Sequence, residues 1–187
     1  CNVLSPLAVL GMETGSMHPL QSFAAPRDNL ANIGMAVDGT PKAQALANDL
    51  ARLAGAVPFN VPAEERAAYH AAACFCSNYA VTVVALAQKL LSRWAASEEE
   101  AFKLLLPLFN GTANNLQNAD TAGQALTGPI ARGDAVTVKA HLAALPQEFL
   151  SAYCALGRET VKLAAENGSI TPSAAAEMES LLTEATK

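Results

Sequence analysis

Between Arg66 and Lys89 the chain carries no charged residue, yet Tyr69, His70, Ser77, Asn78 and Thr82 interrupt the apolar run. On a helix advancing about 100° per residue, His70, Cys74, Ser77, Asn78 and Val81 share one face, and Tyr69, Ala73, Cys76 and Ala80 an adjacent one. The pattern predicts one central helix from Ala63 to about Trp94, buried nearly all round, whose polar side chains need partners from protein, water or ligand.

On either side the pattern changes. Ser5 to Leu10 reads as the tail of a helix, Gly15 to Leu20 as a short strand running into a loop, and Ile33 to Val37 as a second strand. Thr40-Pro41 is an N-cap followed by proline at the first helical position, opening a helix through Leu46, Leu50 and Leu53 to Gly55; a third strand, Val57 to Val61, follows. This rhythm is α/β but too little for a complete sheet, so the chain is expected to begin inside a domain. From Pro62 onward everything reads as helix. Ser97 and Glu100 form a capping box for a helix running past Pro107, which is expected to kink it, toward Asn118. A helical turn near Ala122, an ordered Gly/Pro loop over 126–134, a helix capped by Asp134, a long helix from Gln147 to Asn167 and a last one opened by Thr171-Pro172 complete the chain. The reading is a mainly α protein: residues 1–61 as the end of an α/β domain and residues 62–187 as a helix bundle.

Composition narrows the function. Of the 187 residues 51% are hydrophobic, much of that alanine, which favours helix over strand. A net charge of -5 without any lysine or arginine cluster excludes a nucleic-acid surface and leaves small molecules or proteins as partners. Cys1, Cys74, Cys76 and Cys154 make no CxxC pair and no regular ladder, as in a reduced, cytoplasmic protein. The run from Ala67 to Gln88 has the length of a membrane span, but alanine contributes little to insertion and His70, Ser77, Asn78 and Gln88 oppose it; no membrane role is expected.

Candidate chemistry centres on the uncharged run. His70, Ser77 and Asn78 can line an elongated slot, with His70 exchanging a proton with a substrate oxygen and Asn78 orienting a polar group, or each can satisfy a backbone group in a helical core. Cys74 lies one turn from His70, but Cys76 points elsewhere by helical spacing and further ligands are lacking, so no metal is expected. His18 ends a strand, and ligands of open α/β sheets bind at the carboxyl ends of strands; its alternative is to order the loop before Pro19. Thr127 and Arg132 can hold an anion on the 126–134 loop, or Arg132 can pair with Asp134. No GxGxxG, GxxxxGK[ST] or GxSxG occurs.

Four motifs in order (Ser16-Met17-His18-Pro19-Leu20-Gln21-Ser22-Phe23; Tyr69-His70 leading to Ser77-Asn78-Tyr79; the 126–134 loop; Leu156-Gly157-Arg158) resemble bacterial proteins that join a Rossmann-like NAD(P)-binding domain to a C-terminal helical domain of unknown function. They are labelled deazaflavin-dependent NADP oxidoreductases, and their helical part is similar to the C-terminal domain of the 6-phosphogluconate dehydrogenase superfamily. Members carry about a hundred further residues at the start, with the glycine-rich dinucleotide fingerprint absent here. The resemblance implies the last strands and helix of a Rossmann-like domain followed by a helical substrate and dimerisation domain. It also implies NADP or NAD as cofactor, a homodimer through the helical domain, and a small-molecule cleft between the domains lined by His18, His70, Asn78, Thr127 and Arg132. The contrasting reading is a non-enzymatic helical module for dimerisation or metabolite binding.

Overall fold

A computed structural model describes residues 3–25 and 29–187; Cys1 lies outside the described residues. The protein is mainly helical with a small three-stranded sheet. Its contacts divide it into two units, Cys1–Val83 and Val84–Lys187.

The first unit holds helix α1 (Ser5–Val9), strands β1 (Gly15–Pro19) and β2 (Gly34–Gly39), helix α2 (Pro41–Leu53), strand β3 (Val57–Asn60), a 3-10 turn (Ala63–Glu65), helix α3 (Arg66–Cys76) and the start of helix α4 (Asn78–Leu91). The sheet order is β1-β2-β3, with β1 antiparallel and β3 parallel to β2. Met35 and Val37 of β2 pack with Ala47 and Ala51 of α2 and with Ala56 into one core cluster. Side chains alternate along a strand, so Ala36 and Asp38 take the opposite face with their cross-strand partners His18 and Ser16. Where β1 meets β2 the backbones nearly touch: a Cβ on Gly39 would lie 2.6 Å from Gly15 Cα, which only glycine avoids.

The second unit comprises the rest of α4, α5 (Glu98–Gln117), 3-10 turns at Ala122–Ala125 and Ile130–Arg132, α6 (Ala135–Ala144), α7 (Gln147–Glu166) and α8 (Pro172–Glu184). Caps fix its helix starts: Ser97 Oγ accepts from Glu100 N–H at 3.1 Å, Asp134 Oδ1 from Thr137 N–H at 3.0 Å, and Thr171 Oγ1 from Ala174 N–H at 3.3 Å. α5 runs through Pro107 as one helix. Val138, Cys154, Val161, Ala164, Met178 and Leu182 form the core, closed below by Ile130 of the preceding loop.

The expected central helix is corrected in two respects. It is not continuous: α3 ends at Cys76, Ser77 has φ -111° and ψ -76°, and α4 restarts at Asn78. Serine and asparagine side chains compete with the helical ladder for backbone groups, and Cys-Ser-Asn is a weak helical run. Nor is it the most buried helix, since neither α3 nor α4 has a buried residue, whereas α7 has five. Apolar periodicity reports which face avoids water but not whether the same chain covers it. The segment Ala63–Leu91 therefore combines an 18-residue window of mean hydropathy 1.4, high enough for a membrane span, with apolar side chains such as Phe75 and Val81 left 71% and 70% exposed.

Candidate functional site

The site is built on the face of the sheet opposite α2. Ser16 and Asp38 are a cross-strand pair, and Arg66 at the start of α3 bridges them: its Nη2 donates to Ser16 Oγ at 2.9 Å and to Asp38 Oδ2 at 2.6 Å. The pair is half-exposed, so water screens it and it contributes at most about 1 kcal/mol. Its effect is positional, because it sets the first turn of α3 above β1 and β2. One turn on, Tyr69 OH and His18 Nδ1 are 2.8 Å apart, and the Tyr69 ring meets His18 and Phe59 edge-on at centroid distances of 5.6 and 5.9 Å. The His70 ring stands 6.5 Å from that of His18, nearly perpendicular to it.

Two cavities result, both within the first unit. One of about 350 Å³ is lined by Ser16, Asp38, Arg66 and the apolar floor of β2. The other, about 570 Å³, runs from Leu20, Gln21 and Ser22 along α3 to Cys74, Cys76, Ser77 and Asn78. His18, Tyr69 and His70 belong to both. The structure thus brings His18, His70, Ser77 and Asn78 to one cavity from stretches far apart in sequence. Among the described residues the His70 and Asn78 side chains have no hydrogen-bond partner within the protein, so both are available to a ligand.

Three details of the sequence argument change. β1 is antiparallel to β2, so its carboxyl end, with His18, lies toward the amino ends of the parallel pair β2 and β3; the rule placing ligands at strand carboxyl ends does not explain His18. The Arg66 and Tyr69 contacts of α3 put it at a cavity instead. Cys76 lines the same cavity as Cys74, because face-counting on a regular helix fails where α3 ends. Even so, no three His, Cys, Asp or Glu side chains converge among the described residues. Sequence spacing does not single out Tyr69 as a site residue. Its signal was its place beside His70 in the uncharged run, but its partners His18 and Phe59 are set by the tertiary fold.

Thr127 and Arg132 belong to the second unit. Both are exposed on the 126–134 loop, which turns through Gly128 (φ +101°) and Gly133 (φ +69°) and is anchored by buried Ile130. Arg132 forms no ion pair among the described residues. Its charge helps to hold the Asp134 carboxyl below its usual range, behind the larger effect of hydrogen bonds from Thr137.

A sequence profile described as Domain of unknown function (DUF2520) matches residues 33–160, more than half of the chain. The chain belongs to this family. The DUF2520 segment contains Arg66, Tyr69, His70, Ser77, Asn78, Thr127 and Arg132, while His18 precedes it. Protein TM1727 from Thermotoga maritima has a similar fold, with a TM-score of 0.59 and 23% identity over 92% of this chain and 63% of that one. A protein described as "putative NADP oxidoreductase BF3122", from Bacteroides fragilis, superposes with a TM-score of 0.58 and 24% identity, over 83% of this chain and 57% of that one. At these identities the likeness is one of fold, and the chain spans under two thirds of either structure's length. No curated protein matches.

The residues present do not fit a dinucleotide pyrophosphate. Such a group is held by backbone N–H donors at a glycine-rich turn opening a helix. Among the described residues the βαβ unit is β2-α2-β3; it opens α2 with Pro41, which has no N–H, and beside it the Glu13 carboxylate takes a hydrogen bond from Thr40 and faces Lys42 at 3.8 Å. A carboxylate at that position repels an anion.

Proposed function

We propose that this DUF2520 chain is the C-terminal portion of an NAD(P)-linked oxidoreductase acting on a small molecule, with the last part of a Rossmann-like domain at residues 1–61 and a helical domain at 62–187. The carrying observation is that His18, His70, Ser77 and Asn78 line one cavity of about 570 Å³, where the His70 and Asn78 side chains have no hydrogen-bond partner among the described residues. Its size suits a metabolite, and its lining sets several hydrogen-bonding side chains beside the apolar Leu20, Ala72 and Ala73. The fold likeness to a protein described as a "putative NADP oxidoreductase" supports the reaction class. NADP or NAD would be held chiefly by residues other than those of this chain, and deazaflavin is a further cofactor of the same reading. Thr127 and Arg132 are proposed as anion contacts for the substrate.

His70→Ala and Asn78→Ala, made in a full-length protein with an identified substrate, test the site. Both side chains are exposed, so turnover should fall while the melting temperature hardly moves. A fall in melting by the equivalent of about 1–3 kcal/mol, with activity merely following it, would instead make them structural. Calorimetric titration of this chain with NADP and NAD should show no micromolar binding; such binding would mean that the pyrophosphate has a site here after all.

We also propose a homodimer through the helical region, in a cytoplasmic setting. Phe75, Tyr79 and Val81 in the first unit and, separately, Leu104 and Leu108 in the second are more than half exposed, and apolar side chains left open on helices suit contact with a second copy. Light scattering at tens of micromolar should give twice the chain mass, and a monomer would refute this assembly.

A further inference from the structure

The two cavities of the first unit share three residues, His18, Tyr69 and His70. These side chains form the partition between a charged chamber, with Asp38 and Arg66, and a neutral one, with Gln21, Ser22, Ser77 and Asn78. Within the partition Tyr69 is fixed from two sides, by Phe59 and by His18, and the only hydrogen bond between its members joins Tyr69 OH to His18 Nδ1 at 2.8 Å. Burial raises the Tyr69 pKa, so the group is a protonated phenol at neutral pH. Arg66 faces the same chamber, but its charge is met by Asp38 at 2.6 Å. The remaining titratable groups lining the two chambers are His70, Cys74 and Cys76.

We infer that Tyr69 is the group that gives a proton to, or takes one from, an oxygen atom of the bound small molecule, and that His18 positions it and exchanges that proton with solvent. The inference rests on the cavity being the substrate pocket. With the proton on Nδ1, His18 donates to the phenol oxygen and frees the Tyr69 O–H to point into the cavity. In the donating direction the Tyr69 O–H bond breaks as the ligand O–H bond forms, the His18 Nδ1–H bond breaks as Tyr69 regains its proton, and Nε2 takes a proton from water. The net change is one solvent proton delivered to a ligand oxygen, with His18 left neutral in its other tautomer. The ligand class is a small molecule bearing a carbonyl whose oxygen takes this proton as its carbon receives a hydride from the nicotinamide of the proposed reaction, or in reverse a hydroxyl that gives up both, reaching the partition from the neutral chamber. His70, without a protein partner and on both chambers, is left to contact the same ligand.

The sign of one shift tests the pair. The phenolate absorbance of this chain, minus that of Tyr69→Phe, isolates Tyr69 from Tyr79 and Tyr153. If His18 donates to the phenol oxygen it favours the phenolate, so His18→Phe should move the Tyr69 titration up by about one unit and His18→Asn, which keeps an amide donor near the Nδ1 position, should restore it. A downward shift would mean that His18 accepts and holds the phenol proton away from the cavity; that result, or no shift in either variant, overturns the inference. Hydroxyacetone labelled at its carbonyl carbon supplies the ligand readout by NMR. Expected are a downfield carbonyl shift that is lost in Tyr69→Phe and a change in the His70 ring signals that persists. A His70 response with a carbonyl shift indifferent to Tyr69→Phe removes Tyr69 but leaves the pocket; no response at either residue removes the pocket as well.

Discussion

Gly157 on α7 and Leu182 on α8 offer a quantitative test of the second unit's core. Both are buried, Leu182 completely, and a Cβ added to Gly157 would lie 2.9 Å from Leu182 Cδ2 and 3.0 Å from Cδ1. Gly157→Ala therefore trades two effects. Overpacking costs about 1–3 kcal/mol where neighbours cannot give way, while replacing glycine in a helix interior returns about 1 kcal/mol. Leu182 packs with Val138, Cys154 and Met178, all fully buried, so it has little room and the net effect should be a loss of up to about 2 kcal/mol. Leu182→Ala alone should cost about 2–5 kcal/mol by leaving a cavity. In the double variant the new methyl of residue 157 enters that cavity, the clash disappears and the helix gain survives, so the two changes should fall short of their sum by about 1–3 kcal/mol. Urea unfolding followed by far-ultraviolet circular dichroism gives all three values. Additivity within about 0.5 kcal/mol would show that the helices relax apart at no cost and that Gly157 is not a packing requirement.

Three further outcomes follow from the capping and titrating groups. Ser97→Ala should destabilise α5 by about 1 kcal/mol, through loss of the bond to Glu100 N–H, read as a lower urea midpoint at unchanged slope. Asp134 has a folded pKa lowered first by the Thr137 hydroxyl and then by its backbone N–H, so its stabilisation is present above the unfolded value, about 4, and is lost as pH falls through the folded one. Melting of Asp134→Asn should accordingly depend less on pH in that acid range, and an unchanged profile would refute the cap's electrostatic role. Tyr153, bonded to His141 at 2.9 Å, has a pKa raised by burial, so its contribution holds below about pH 10 and is lost as pH rises toward the folded value; Tyr153→Phe should blunt the alkaline loss of stability.

Local signals in the sequence carried the elements. Thr40-Pro41, Ser97 with Glu100, Asp134 and Thr171-Pro172 each mark an observed helix start, and the three strands begin within one residue of their expected positions. These are decided by neighbours a few residues apart, where side-chain chemistry acts directly on the backbone. The uncharged run after Arg66 read less well. Its spacing gathered His70, Ser77 and Asn78 onto one face, and these do line one cavity, but it could not show that α3 and α4 stay uncovered by this chain, because the covering surface is not a property of the helix itself. Long-range contacts were least legible. The links of Arg66 to Asp38, 28 residues away, and of Tyr69 to His18, 51 away, follow from sheet register and from the path of the chain into α3.

The parity of β3 has a consequence for how the sheet can grow. Val57 N–H and Val61 N–H point inward, to the carbonyls of Ile33 and Val37, so the alternate residues Pro58 and Asn60 face the open side. Proline has no N–H to offer there, which leaves that edge one backbone donor short in a strand of four residues. An incoming strand from another molecule finds a poor template beside β3, as at other protected edges. Beside β1 the Leu20 and Thr40 bonds fix the inward set, so Gly15, Met17 and Pro19 face outward and that edge also lacks a donor where Pro19 stands. Both edges of the sheet are thus interrupted by a proline, Pro58 on β3 and Pro19 on β1, and a strand from a second copy would find an incomplete ladder at either one.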